Sequence, residues 1–293
     1  MVRVIQNLAE ISQDYDVLYC DLWGCLHNGA VPYPAAVAAL QSFRAGGGTV
    51  VLMTNAPRPS AYVRAQLDRL GVPRDAWDMI VSSGDAAQAA LFTGAVGRRV
   101  YHLGPDKDLG FFEDVPDAFR SEPPIARVPL AEAEGIVCTG PFEELTETPE
   151  DYRATFLYAK AKGLRLLCTN PDQIVDFGDR RIYCAGALAR LYDEMGGESL
   201  YFGKPYPPIY DLARRRLGEA AHDPDPSRIL AVGDGIATDI RGGLGEGIDT
   251  LFVTGGLAAD EFGRDVEAPD AALLADWLAR QETGTTFAIG RLR

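Results

Sequence analysis

Histidine and cysteine are scarce in this chain, at three and five of 293 residues. Cys20, Cys25, Cys138, Cys168 and Cys184 form no CxxC pair, which excludes the common structural zinc patterns. They sit mostly inside apolar runs and read as small buried hydrophobes of a reducing compartment, not as disulfide partners. Positive charge is also short. The 28 Lys and Arg against 42 Asp and Glu leave a formal charge of −14, which argues against nucleic acid or an anionic membrane as the main partner. An acidic protein still binds phosphate where Lys, Mg²⁺ and backbone N–H groups are gathered locally. No apolar run reaches the length of a membrane span and no basic-then-apolar leader opens the chain, so the sequence reads as cytoplasmic.

What is present is an ordinary globular composition, 47% hydrophobic and 24% charged, long enough for one large domain or a core with an insert. Strand-like runs lie at 16–21, 49–54, 78–82, 98–103, 134–138, 164–169, 199–202, 228–233 and 249–253. Helical patterns fall between them, at about 34–45, 59–70, 84–92, 149–162, 185–195, 207–218 and 237–245. This alternation predicts an α/β fold with parallel sheets covered on both faces. The strands are too many for one comfortable sheet. The residues with chemical promise all lie outside the middle of the chain, so the expected division is a core of 1–83 and 196–293 with an α/β unit, 84–195, inserted into it.

Four strand ends carry those residues. Asp21 closes the run Asp16-Val-Leu-Tyr-Cys20, where a carboxylate is costly unless its charge is used. It is a candidate nucleophile toward phosphorus, although a strand-end Asp also caps turns. Asp234 and Asp239 stand in Gly233-Asp-Gly-Ile-Ala-Thr-Asp239, a strand-to-helix turn. Asp234 suits direct ligation of Mg²⁺ and Asp239 a supporting position, with helix capping the competing account. Thr54 and Asn55 end a third run, where a hydroxyl and free N–H groups can hold phosphate oxygens or simply make a turn. Lys204, in Tyr201-Phe-Gly-Lys-Pro205, is placed to neutralise anionic charge.

The order Asp, Thr, Lys, Gly-Asp…Asp resembles that of the haloacid dehalogenase (HAD) superfamily of phosphohydrolases over nearly the whole chain. Cys168-Thr-Asn-Pro-Asp172, Ala185-Gly-Ala-Leu188 and Phe202-Gly-Lys-Pro205 are similar to its class IIA, NagD-like branch. The resemblance implies a Rossmann-like core with a parallel sheet and an inserted C2-type α/β cap. It implies Asp21 as nucleophile and Mg²⁺ ligand, with the backbone carbonyl of Trp23 and Asp234 as further ligands and Asp239 supporting them. Thr54 and Asn55 would grip the phosphoryl group, and Lys204 would bridge it and the nucleophile. Residues near Asn170–Asp172 and Cys184–Ala187 would face the substrate, a small phosphorylated metabolite. Relatives often dimerise, which makes a homodimer part of the same expectation.

The sequence departs from the family at Trp23, where its phosphatases carry a second Asp that protonates the leaving oxygen and then activates water. Indole does neither, and general acid–base catalysis is worth roughly 10²–10⁴-fold. His27 is the nearby imidazole that could substitute; a loop histidine shaping the turn is the preferred account of it. Ala56 replaces a common Asn, and Arg58 could supply a compensating phosphate contact or be a solvated helix-start residue. The leading expectation is a Mg²⁺-dependent phosphatase, slowed by Trp23. The alternative is a weakened relative that binds a phospho-ligand as a sensor or regulator. A dehalogenase ranks last, because the Gly-Asp…Asp set suits Mg²⁺ better than carbon–halogen chemistry.

Overall fold

The computed structural model describes residues 2–177 and 180–293. In chain order the strands are β1 (Arg3–Val4), β2 (Val17–Cys20), β3 (Thr49–Thr54), β4 (Met79–Ser82), β5 (Arg99–Leu103), β6 (Ala126–Arg127), β7 (Gly135–Cys138), β8 (Arg165–Cys168), β9 (Ile174–Phe177), β10 (Arg180–Tyr183), β11 (Glu198–Tyr201), β12 (Ile229–Gly233), β13 (Asp249–Val253) and β14 (Phe287–Ile289). The helices are α1 (Pro34–Ala45), α2 (Ser60–Leu70), α3 (Ser83–Phe92), α4 (Gly110–Glu113), α5 (Arg153–Ala161), α6 (Ala185–Glu194), α7 (Pro207–Glu219), α8 (Arg241–Gly245) and α9 (Ala271–Arg280). The chain divides into two units. One comprises Met1–Thr54, Arg64–Val81 and Tyr210–Arg293; the other comprises Asn55–Val63 and Ser82–Ile209.

The first unit is built on a sheet of order β1-β14-β13-β12-β2-β3-β4. The pairs β1–β14, β14–β13, β13–β12, β12–β2 and β2–β3 are all parallel. Such sheets are covered on both faces, which is why Val17–Cys20 and Ile229–Gly233 are apolar without alternation and buried throughout. Pro34 opens α1 with its φ already helical, and Ala36, Val37, Leu40 and Phe43 form the buried stripe. Leu274, Trp277 and Leu278 of α9 pack with Phe252 and Phe262, the Trp277 and Phe252 rings stacked 5.5 Å apart. Removing such a ring costs about 3–5 kcal/mol. From β2 the chain steps through β3 to β4 in one direction, and from β12 through β13 to β14 in the other. The winding therefore reverses between β2 and β12, the position where open α/β sheets bind ligands at their carboxyl ends.

The second unit has its own parallel sheet, β11-β8-β7-β5-β6, and the antiparallel hairpin β9–β10. Alternate residues serve opposite faces. Ile136, Cys138, Leu166 and Cys168 join Phe156 and Tyr192, whereas Val137 and Leu167 join Leu91 and Phe111. The expected α/β class and parallel sheets are what the structure shows, but residues 196–209, with Lys204 among them, group with the second unit and not with the core. Glu198–Tyr201 pairs in register with Arg165–Cys168 and completes the edge of the second sheet. Asn55–Val63 likewise groups with the second unit. The two-residue strands β1 and β6 and the charged hairpin carry no usable periodicity. Helix α9 does, with Asp270 capping its first turn, yet it is missing from the expected helices.

Candidate active site

In the first unit, three neighbouring strands deliver Asp234, Asp21 and Thr54 to the carboxyl edge of the sheet. The Asp21 backbone N–H donates to Val232 O at 2.8 Å, extending the β2–β12 ladder by one residue. This fixes Asp21 beside the end of β12, where Gly233 leads into Asp234. Thr54 is the buried last residue of β3. Both aspartates are buried, a cost that stands unless a cation or hydrogen bonds meet their charge. Asp234 Oδ2 accepts from the Leu257 N–H at 2.9 Å. The approach to it is glycine-walled. A Cβ on Gly24, whose φ is +74°, would lie 1.9 Å from that oxygen, and one on Gly256 would lie 2.0 Å away.

Asp239 is turned back onto the loop that bears Asp234. Its Oδ2 accepts from Gly235 N–H at 3.1 Å and from Thr238 Oγ1 at 3.4 Å. The widened π-helical turn Ile236–Ile240 closes with Ile240 N–H donating to Gly235 O, which folds the side chain inward. Asp239 thus anchors the Gly233-Asp234-Gly235 turn.

The third donor near the aspartates is Cys25. Ligand atoms of Asp21, Cys25 and Asp234 all lie within 4.8 Å of one another, the one grouping of three His, Cys, Asp or Glu donors of this kind among the described residues. Burial, then the charges of Asp234 and Asp21, hold the Cys25 thiol well above its usual range. The sequence places Cys25 only among the buried cysteines, four residues after Asp21. Its position follows from the tight loop in which Leu22 O accepts from both the Leu26 and His27 N–H groups.

The same loop explains Trp23 and His27. The Trp23 ring lies over Gly29, where a Cβ would sit 2.2 Å from its outer edge, and the φ of Gly29 is +87°. His27 meets that ring edge-on at 5.3 Å. Burial pushes the His27 imidazole down to about 4, so it is neutral at pH 7. Its Nδ1 accepts from the Gly29 N–H at 3.0 Å, which places the ring proton on Nε2. The basic nitrogen is occupied, so the substitute-base role has no free lone pair to use.

The second unit holds Lys204 and Asn55. Both are only 3% exposed. Asn55 Nδ2 donates to Lys204 O at 3.0 Å, and Lys204 N–H donates to Asn55 Oδ1 at 2.7 Å. The remaining amide hydrogen goes to Asp172 Oδ1 at 2.8 Å. Asn170 Oδ1 holds the Asp172 N–H at 3.0 Å, and Asp172 O accepts from Gly186 N–H at 3.1 Å. The Asn55 side chain therefore clamps the Gly203-Lys204-Pro205 turn. The segments Asn170–Asp172 and Cys184–Ala187 do come together around it. Arg58 is partly exposed and pairs with the second unit's own carboxylate: its Nε lies 3.5 Å from the buried Asp108, which burial holds above the usual range against the pull of Arg58 and Lys107.

Comparison with known proteins fits these arrangements. A haloacid dehalogenase-like hydrolase family model matches residues 18–115, and a HAD-hydrolase-like model matches 201–279. The crystal structure of a haloacid dehalogenase-like hydrolase from Brucella suis 1330 is 37% identical with a TM-score of 0.85, covering 99% of this chain and 100% of that one. D-glycerol 3-phosphate phosphatase of Mycobacterium tuberculosis is 26% identical over 85% of this chain and 66% of its own length. Ribonucleotide monophosphatase NagD of Escherichia coli is 27% identical over 82% of this chain and 88% of its own. The chain belongs to the haloacid dehalogenase-like hydrolases, in their NagD-like class IIA branch.

Proposed function

We propose that this protein is a Mg²⁺-dependent phosphatase of small phosphorylated metabolites that works through an aspartyl-phosphate on Asp21. The observation that carries the reading is the convergence of Asp21 and Asp234 at the winding reversal of the first sheet, with donor atoms within 4.8 Å. Two buried carboxylates that close repel unless a cation lies with them, and carboxylate oxygens are the donors Mg²⁺ takes. Asp21, Asp234 and the Trp23 carbonyl would hold it; when bound, it neutralises phosphoryl charge.

Asp21 attacks phosphorus, a new O–P bond forms, and the ester P–O bond breaks. The departing oxygen needs a proton, and the water that later cleaves the acyl-phosphate must lose one. Trp23 supplies neither and His27 is committed to Gly29. Both protons therefore pass to or from solvent or substrate, which favours esters with good leaving groups. Thr54 is a phosphoryl ligand in this reading, and Lys204 keeps its motif's role of neutralising phosphoryl charge. The inserted unit serves as a cap, and the protein acts in the cytoplasm.

The commitment of His27 and the indole at position 23 also favour a second reading, a phospho-ligand sensor with little turnover. Acetyl phosphate, an aryl phosphate and an alkyl phosphate, each assayed with Mg²⁺ and with EDTA, separate the two. Turnover that needs Mg²⁺ and disappears in Asp21→Asn supports the phosphatase. Phosphate-analogue binding without Asp21-dependent turnover supports the sensor.

A further inference from the structure

We propose that Cys25 joins Asp21 and Asp234 in a site for a thiophilic divalent cation of the zinc and cadmium class. Oxygen-only sets favour Mg²⁺, whereas one thiolate moves a carboxylate site toward softer metals. The three donor atoms lie within 4.8 Å of one another. Zinc–sulfur bonds of about 2.3 Å and zinc–oxygen bonds of about 2.0–2.2 Å require donors about 3.5 Å apart. A closing movement of no more than about 1.3 Å meets that requirement.

The second observation is the state of the thiol. Cys25 is only 1% exposed, and among the described residues its sulfur takes part in no hydrogen bond. The comparison with other buried cysteines is direct: Cys20 Sγ donates to Asp21 O at 3.2 Å, and Cys168 Sγ donates to Asn170 O at 3.3 Å. Among the described residues, Cys25 lies beside the Asp21 and Asp234 carboxylates with no hydrogen bond of its own. Metal binding forms one S–metal bond and releases one proton to solvent, with no change of oxidation state. Because the cation also takes Asp21, it competes with Mg²⁺ and removes the proposed nucleophile from use.

The test uses the full chain, freed of metal by chelation and then titrated with Cd²⁺ alone. Thiolate-to-cadmium charge-transfer absorption is expected to saturate at one equivalent, to vanish in Cys25→Ser, and to recede on adding Mg²⁺. Asp234→Asn keeps the thiol but should weaken Cd²⁺ by at least about tenfold, or about 1.4 kcal/mol, which tests the site even if Cys25→Ser fails to fold. Absorption of full strength in folded Cys25→Ser would overturn the proposal, as would no absorption in the wild-type protein or unchanged affinity in Asp234→Asn. Since the readout is binding of the metal alone, its outcome is independent of whether the protein hydrolyses phosphate.

Discussion

The two units hold their polar residues in opposite ways. In the first, the carboxyl groups of Asp21 and Asp234 are crowded together, with a thiol beside them and glycines walling Asp234. In the second, Asn55 is neutral and its amide is spent on three hydrogen bonds, two to the Lys204 backbone and one to Asp172. Two carboxyl groups this close favour a cation between them. A satisfied amide gains nothing from a ligand, so it is built to position. Crowded carboxyl groups in one unit and a hydrogen-bond-saturated amide in the other are thus the contrast to probe.

The largest effect should come from the charged side of this contrast. Asp21→Asn is expected to lower acetyl phosphate turnover on the order of 10⁴-fold or more, with thermal stability equal to or above wild type once the carboxylate repulsion is gone. Turnover within tenfold of wild type would remove Asp21 from the chemistry. Next is Trp23→Asp, which returns an acid to the loop. Alkyl phosphate hydrolysis should rise by about 10²-fold, the low end of what general acid catalysis contributes; no rise would place the deficit elsewhere.

Asn55 comes third. Asn55→Ala should lower kcat/KM by about 10–100-fold, and Asn55→Asp should do at least as much by setting a carboxylate against Asp172. Adding Asp172→Asn to Asn55→Asp restores a donor–acceptor pair and should recover part of the loss in kcat. A double variant no better than Asn55→Asp would show that the link to Asp172 does not set Lys204. The smallest effect lies in the second unit's His102, whose Nε2 is 3.0 Å from Thr139 Oγ1. Burial, then Arg127, hold its imidazole down at about 4 from 6.5. The folded state thus resists its protonation, and stability present above pH 6.5 is lost as pH falls toward 4. His102→Phe should flatten that acid limb by about 1–2 kcal/mol, read from urea unfolding at pH 7 and pH 4.5. An unchanged slope would assign the acid sensitivity to other groups.

The parts of the fold that could be read from sequence were those with strong periodicity. Strand runs such as Thr49–Thr54 and Ile229–Gly233 were legible because a strand buried on both faces is a continuous apolar run. The unit boundary was not legible, since Glu198–Tyr201 has the same strand character whichever sheet accepts it. At the site, Asp21, Asp234 and Asp239 stood out as acids at strand ends. The work of Asn55 did not, because an amide after a strand reads equally as a ligand or a clamp until its partners, more than a hundred residues away, are known. Cys25 was hidden for a related reason: its sequence position gives nearness to Asp21, while its nearness to Asp234 exists only after folding.

The indole resting on Gly29 bears on how this loop could change. Trp23 is a space-filling group, with Gly29 kept bare beneath it and His27 against its edge. Placing an aspartate at position 23 therefore opens a void that the loop must close, so the change costs packing whatever chemistry it adds. A change at position 23 therefore asks for matching changes at Gly29 and His27.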